Sequence, residues 1–329
     1  MIQVYSWNQG ALDRLLAMRR NLPHALILYG PSGIGKSALA ERFANALLCE
    51  SPTPAGDACG QCSACGWFAH GNHPDLRRLA PLSESDDGKE KGSRDIRIDQ
   101  VRALAEFLSV GGHRGARRVV LIDPADRLNM PAANALLKTL EEPAGDAVFL
   151  LVSARPDGLP ATIRSRCVRV EVPLPPRAAV AQWLQDETGA GEADIASWLA
   201  MAGGRPLHAR LLAEPAQAAA HRLLVQAVAR IPENPAVQVA DAIAAIPAAS
   251  WLPVMQYWVN DVARVAAGAD AVRFPDQRER LAAIAARARA DRLTGFAAWL
   301  QRQTAAVDHP LNPRLFCEDL LLRYSAVFD

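Results

Sequence analysis

Cys49, Cys59, Cys62 and Cys65 stand at the spacing C-x9-C-x2-C-x2-C. Four thiolates so spaced can close a tetrahedral zinc shell, each sulfur about 2.3 Å from the metal. A full shell leaves no position for water, so the expected Zn²⁺ is structural. Such a site contributes on the order of 10 kcal/mol to local folding. His70 and His73 are near enough in sequence to replace one cysteine, but the all-cysteine set is the expectation. Just upstream, GPSGIGKS at residues 30–37 matches the phosphate-loop pattern G-x-x-x-x-G-K-[ST]. Gly30, Gly33 and Gly35 let backbone N–H groups turn toward a phosphate. Lys36 neutralises the β and γ oxygens, and the Ser37 hydroxyl can ligate Mg²⁺. ATP with Mg²⁺ is the expected ligand.

A hydrolytic enzyme of this kind also needs an acid on a neighbouring strand. Residues 119–123, VVLID, end in Asp123, which suits the metal. Many such enzymes place a glutamate next, to orient the attacking water. Here the next residue is Pro124, which carries neither an acid nor an N–H. Asp126, three residues beyond Asp123, is expected to point elsewhere. The site should bind nucleotide and hydrolyse it poorly. Further on, ATIRSRC at residues 161–167 leads into an apolar run. Its arginines either cap a helix and pair with carboxylates, or one reaches the nucleotide of a neighbouring subunit. Arginine suits the second role because its planar guanidinium is permanently charged and donates to several oxygens at once.

These residues need a scaffold, and the apolar periodicity supplies one. Strands are expected at Ala25 to Tyr29, Asp75 to Leu79, Arg118 to Asp123, Ala147 to Ser153 and Cys167 to Val172. Helices are expected at Ser37 to Leu48, Ile98 to Val110 and Ala132 to Leu140, with a polar loop at Ser83 to Ser93. The alternation reads as α/β with a parallel sheet. Pro173, Pro175 and Pro176 mark a linker, and only helical pattern follows. The expected domains are a P-loop domain at 1–172 with a zinc module at about 49–65, a small helical domain at 173–212, and an all-α domain at 213–329. Gly203, Gly204 and Pro206 break the helical run inside the second of these.

Composition narrows the class. The chain has 329 residues, with 36 Lys and Arg against 35 Asp and Glu. That balance argues against a broadly basic nucleic-acid binder. No apolar run approaches the roughly 20 residues of a membrane span. Residues 1–7, MIQVYSW, lack the charged and apolar regions of a signal peptide, so a cytoplasmic location is expected. In that compartment, close cysteines favour metal over disulfides. Cys167 and Cys317 are isolated and read as buried fillers.

Taken together, the phosphate loop, the cysteine quartet, HPD at 73–75, NALLKTLEEP at 134–143 and SRC at 165–167 resemble the bacterial DNA polymerase III clamp-loader family, members of the AAA+ ATPases. The delta′ branch is the nearer match. The resemblance covers residues 1–172 by motif and the helical remainder by length and pattern. It implies a P-loop domain, a helical lid and a collar domain that joins subunits into a ring. It implies partners: gamma/tau motor subunits, a delta subunit and, through them, the sliding clamp and primer–template DNA. It implies that Arg166 serves as an arginine finger for an adjacent motor subunit, and that Ser153 occupies the position of a polar sensor of the γ-phosphate. Motor subunits carry a glutamate after the metal-binding acid, so Pro124 favours the stator branch. A motor-type ATPase, or a zinc-dependent DNA-binding regulator with an idle P-loop, are the rival readings.

Overall fold

The computed structural model describes residues 2–82, 93–109, 117–143, 145–231, 233–243, 246–304 and 312–329. The polar loop expected at Ser83 to Ser93 lies almost wholly outside these. The chain divides into two compact units, Met1–Pro176 and Arg177–Asp329.

Among its described residues the first unit has five strands: β1 (Ala25–Tyr29), β2 (Leu76–Leu79), β3 (Arg118–Ile122), β4 (Ala147–Ser153) and β5 (Val168–Glu171). They lie parallel in the order β2-β3-β4-β1-β5. Every residue of β3 and β4 is buried. That explains their unbroken apolar runs, because a parallel sheet covered on both faces has no polar side. The period of two then sorts the side chains. Leu26, Leu28, Val119, Leu121, Leu150 and Val152 pack on one face, with α1 (Gln9–Ala17) and α2 (Lys36–Leu48). Ile27, Val120, Ile122, Phe149 and Leu151 pack on the other, with α4 (Ile98–Ser109) and α5 (Met130–Glu141). The cysteine segment carries one short helix, α3 (Ser63–Ala69), whose Phe68 joins the α2 face. Helices α1 and α3 escape the periodicity reading because both are short. A last short helix, α6 (Ala161–Arg164), precedes β5.

Among its described residues the second unit is helical throughout. Helices α7 (Arg177–Thr188), α8 (Glu192–Ala202) and α9 (Pro206–Leu212) share a small core of Val180, Leu184, Ile195, Leu199 and Ala209. Helices α10 (Pro215–Ala229), α11 (Ala236–Ile243), α12 (Ala248–Ala266), α13 (Arg278–Ala285), α14 (Ala290–Arg302) and α15 (Pro313–Ser325) surround a larger one, centred on Trp258 and Tyr324. The Trp258 indole N–H donates to the buried Tyr324 hydroxyl at 3.0 Å, so the pair enters the core with its polar atoms satisfied. Gly203 ends α8 in the left-handed region at φ 64°. Arg273 lies against it and donates to the Ala200 and Met201 carbonyls at 3.3 and 3.1 Å. Asp261, buried on α12, accepts the N–H groups of Val272, Arg273 and Phe274 at 3.1, 2.7 and 2.9 Å.

His221 on α10 stacks on Phe274, and burial pushes its imidazole down to about 4. The unfolded chain therefore takes up a proton near pH 6.5 that the folded unit refuses until about pH 4. Stability present above pH 6.5 should be lost as pH falls through that window, by at most about 3 kcal/mol. Urea unfolding of the wild type and of His221→Phe at pH 7 and pH 5 checks this. The variant should lose less stability between the two pH values, and equal losses would remove His221 as the cause.

Candidate nucleotide site and metal centre

β1 delivers the chain to the phosphate loop at the carboxyl edge of the sheet, where open α/β sheets bind ligands. Gly30, Gly33 and Gly35 have φ of 156°, 75° and 88°. At Gly35 a side chain would be strained by conformation and would also meet the Tyr5 ring at 2.5 Å. At Gly30 it would run into the Val172 carbonyl oxygen. The loop opens directly into α2, whose first-turn N–H groups favour an anion.

An N-terminal strap holds this loop from outside. The Trp7 indole and the Asn8 amide both donate to the Ile34 carbonyl, at 3.0 and 2.8 Å, and Tyr5 stacks on Trp7 with ring centroids 4.8 Å apart. Sequence reasoning missed this contact. Its one visible signal is a pair of aromatics ahead of the first helix.

The Lys36 ammonium donates to the Gly30 and Pro31 carbonyls at 2.9 and 2.7 Å. Burial lowers its pKa, and Asp123 and Asp126 pull it back up. Phosphate oxygens carry charge and are stronger acceptors than those carbonyls, so they can recruit the ammonium. Asp123 follows directly on β3, within electrostatic reach of Ser37 and Lys36. Burial pushes its carboxyl up, and Ser37 and Lys36 pull it down. The lysine, the serine and the acid of the motif are thus one cluster.

Ser153 ends β4 beside Tyr29 of β1, at the same edge of the sheet. Its hydroxyl donates to Asp126 at 3.0 Å and accepts the Arg155 N–H at 3.0 Å. Asp126 also accepts the Ala154 N–H at 3.2 Å and pairs with the Arg155 guanidinium at 3.4 Å. Asp126 is therefore engaged with the end of β4, and the serine's proton is already committed to it. Arg205, at the start of α9, donates to the Ala202 carbonyl at 2.6 Å and to the Tyr257 hydroxyl at 3.2 Å.

The four cysteines converge. Cys49 caps the C-terminus of α2, and Cys62 caps the N-terminus of α3. Their sulfurs are 3.8 Å apart, those of Cys59 and Cys65 are 4.0 Å apart, and all four lie within 4.8 Å of one another. A tetrahedron with bonds of about 2.3 Å has edges of about 3.8 Å, so the quartet has the size of a metal shell. These spacings are far too long for a disulfide, and the cysteines are free thiols. Backbone N–H groups point at the sulfurs: Cys59 toward Cys49 at 3.3 Å, Gln61 and Cys62 toward Cys59 at 3.4 Å, and Cys65 toward Cys62 at 3.5 Å. The N–H groups of Gln61 and Cys62 bring the Cys59 thiol down to about 6, while burial pushes Cys49 and Cys65 up. A cation at the centre would offset that burial cost, so the donor set fits a metal such as zinc. His70 and His73 stay outside the quartet. Cys167 and Cys317 are buried alone.

Arg166 lies between α6 and β5. Its Nη2 donates to Glu141 at 2.5 Å, and its Nη1 donates to the Thr162 carbonyl at 2.8 Å and lies 3.4 Å from the Ser165 hydroxyl oxygen. Arg164 instead pairs with Asp157 at 2.6 Å. Both arginines of the segment thus have carboxylate partners, and the one that is part of the SRC triplet remains partly exposed.

The comparisons bear on this arrangement directly. A family model described as DNA polymerase III, delta subunit, matches residues 11–175. The chain is 47% identical to DNA polymerase III subunit delta′ of Pseudomonas aeruginosa over 213 residues, which is 64% of this chain and 62% of that protein. It is 34% identical to subunit delta′ of Escherichia coli K12 over 227 residues, 68% of this chain and 65% of that one. It is 32% identical to DNA polymerase III subunit tau of Bacillus subtilis over 154 residues, 47% of this chain and 25% of the other. The alignments thus span less than two thirds of these relatives' own length. Among solved structures, a gamma subunit-related protein of Thermotoga maritima superposes over 97% of this chain and 99% of its own at 16% identity and a TM-score of 0.42, which adds nothing to the assignment. No helix among the described residues is long and apolar enough to cross a membrane. With the family match spanning the phosphate loop, the cysteine quartet and Arg166, the chain belongs to the DNA polymerase III clamp-loader family, in its delta′ branch.

Proposed function

We propose that this protein is the stator of a bacterial clamp loader, the assembly that places the ring-shaped sliding clamp on primed DNA. In this reading it works in the cytoplasm beside gamma/tau motor subunits and a delta subunit. Residues 1–172 form an AAA+ domain, 173–212 a lid and 213–329 a collar that joins the ring. Zn²⁺ sits in the cysteine quartet and holds the module to the end of α2. ATP with Mg²⁺ binds at Gly30, Gly33, Gly35, Lys36, Ser37 and Asp123, and Arg166 serves a neighbour's ATP.

The observation that supports this best is Pro124. It follows the metal-binding acid where a motor subunit places its glutamate, and Asp126 is engaged by Ser153, Ala154 and Arg155. Neither residue is free to activate water beside Lys36. The intact phosphate loop favours a second reading, a motor-type ATPase, and one experiment separates the two. The purified chain is mixed with candidate motor and delta subunits, and ATP turnover is measured alone and in the assembly. The stator reading expects a stable complex and no turnover by the chain alone. Turnover by the chain alone that Lys36→Ala abolishes would establish the motor reading instead.

Asp123 offers a check on the nucleotide site. An acid whose folded pKa is raised costs the fold stability as pH rises through that pKa, because the charged form is the penalised one. Asp123→Asn should therefore raise the Tm of the nucleotide-free chain at pH 7, by about 2 °C. The same change should weaken Mg²⁺-dependent ATP binding by about 10–100-fold. Thermal melts and calorimetric titration read the two effects. A lower Tm would contradict the burial argument, and unchanged binding would remove Asp123 from the site.

A further inference from the structure

We infer that Glu141 is a positioning residue for Arg166: it holds the guanidinium in the orientation from which it reaches a neighbour's phosphate. This rests on the arginine-finger reading above. Glu141 is the last residue of α5. The last turn of a helix carries negative partial charge on its open carbonyls, so the helix itself disfavours a carboxylate there. What Glu141 contacts is Arg166, at 2.5 Å from Oε1 to Nη2.

The other terminal nitrogen of the guanidinium is fixed as well. Nη1 donates to the Thr162 carbonyl at 2.8 Å and lies 3.4 Å from the Ser165 oxygen, and Ser165 itself donates to Thr162 at 3.0 Å. Of the five N–H groups, Glu141 engages one and the Thr162–Ser165 side engages Nη1. That leaves the Nε–H and one proton of Nη2. Neither makes a hydrogen bond among the described residues, and the side chain is 34% exposed. Unused donors on a held, permanently charged plane are available to phosphate oxygens. A free arginine would have to give up rotamer freedom at the moment of reaction. This one has given it up on folding, which is preorganisation in the sense that matters for rate.

The test is a double-mutant cycle in the reconstituted loader, reading kcat and KM for ATP. Glu141→Ala should lower kcat by about fivefold, the size expected for losing one partly exposed charged pair. KM should stay unchanged, since the nucleotide binds in the neighbour. Glu141→Gln keeps the acceptor oxygen and should recover most of the loss. On an Arg166→Ala background, Glu141→Ala should change nothing further. Assembly by gel filtration should match wild type throughout. If Arg166→Ala itself leaves kcat unchanged, the finger reading fails. If Arg166→Ala is slow but Glu141→Ala matches wild type, the finger stands and the positioning role is wrong. A faster Glu141→Ala would mean that the carboxylate restrains the arginine. A loss that persists without Arg166 would mean that Glu141 acts on the fold alone. Either result overturns the inference.

Discussion

In the proposed stator role, Arg166→Ala should slow ATP hydrolysis at the neighbouring motor site by about 10³-fold or more, the scale on which an arginine finger acts. The expectation follows from where the charge sits. Arg166 is outside both sheet-face cores, and its ties are to Glu141, Thr162 and Ser165. Removing it costs this chain an exposed ion pair, worth about 1 kcal/mol or less. The Tm and the assembly should therefore be nearly unchanged while the chemistry next door slows. Single-turnover hydrolysis by the assembled loader is the measurement. Arg164 is the internal control: it pairs with Asp157, so Arg164→Ala should leave the rate within about a factor of two. An equal loss in both variants would show that the segment matters only as structure.

The second large effect belongs to the metal. Cys62→Ser should abolish stoichiometric zinc binding and release residues 49–65, at a cost approaching the order of 10 kcal/mol that such sites supply to local folding. The loss should spread beyond the quartet, because Ala58, Cys65 and Phe68 share a core with Leu39 and Phe43 of α2. Nucleotide binding should nevertheless survive. Lys36 and Ser37 begin α2 and Cys49 ends it, so the length of α2, about 20 Å, separates the two sites. One contact narrows that separation. Arg78 donates to both oxygens of Glu41, at 2.7 and 2.8 Å, and lies over the Phe68 ring at 5.0 Å. Hydrogen exchange before and after chelation, with ATP titration on the same samples, reads both outcomes. Joint loss of metal and nucleotide would mean that Glu41 and Arg78 couple the sites. Full retention of exchange protection after chelation would mean that the quartet needs no metal.

Much of this protein was legible in residue order. Strands β1 and β4 read correctly to the residue, because a strand buried on both faces leaves an unbroken apolar run between punctuating glycines and prolines. The conformation of the loop at 30–37 was legible as well, since its glycines take up positive φ, and so was the convergence of the four cysteines, whose spacing keeps them close along the chain. Helices α1 and α3 were not legible. Each is too short for a period of 3.6 to stand out, and α3 exists within a segment organised around sulfur.

What residue order determined, then, is the inventory: which groups can meet a phosphate, which can hold a metal, and that Pro124 denies the position beside Asp123 to an acid. What tertiary structure alone decided is how those groups are committed. Ser153 and Asp126 are far apart in sequence, and only the pairing of β4 with β1 and β3 brings them to one edge, where each satisfies the other. Glu141 and Arg166 likewise meet only because α5 and α6 pack on the same face of the sheet. The physical reason is the same in both cases. A hydrogen bond or ion pair needs atoms within about 3 Å, and sequence spacing specifies such distances only inside one turn or one helix.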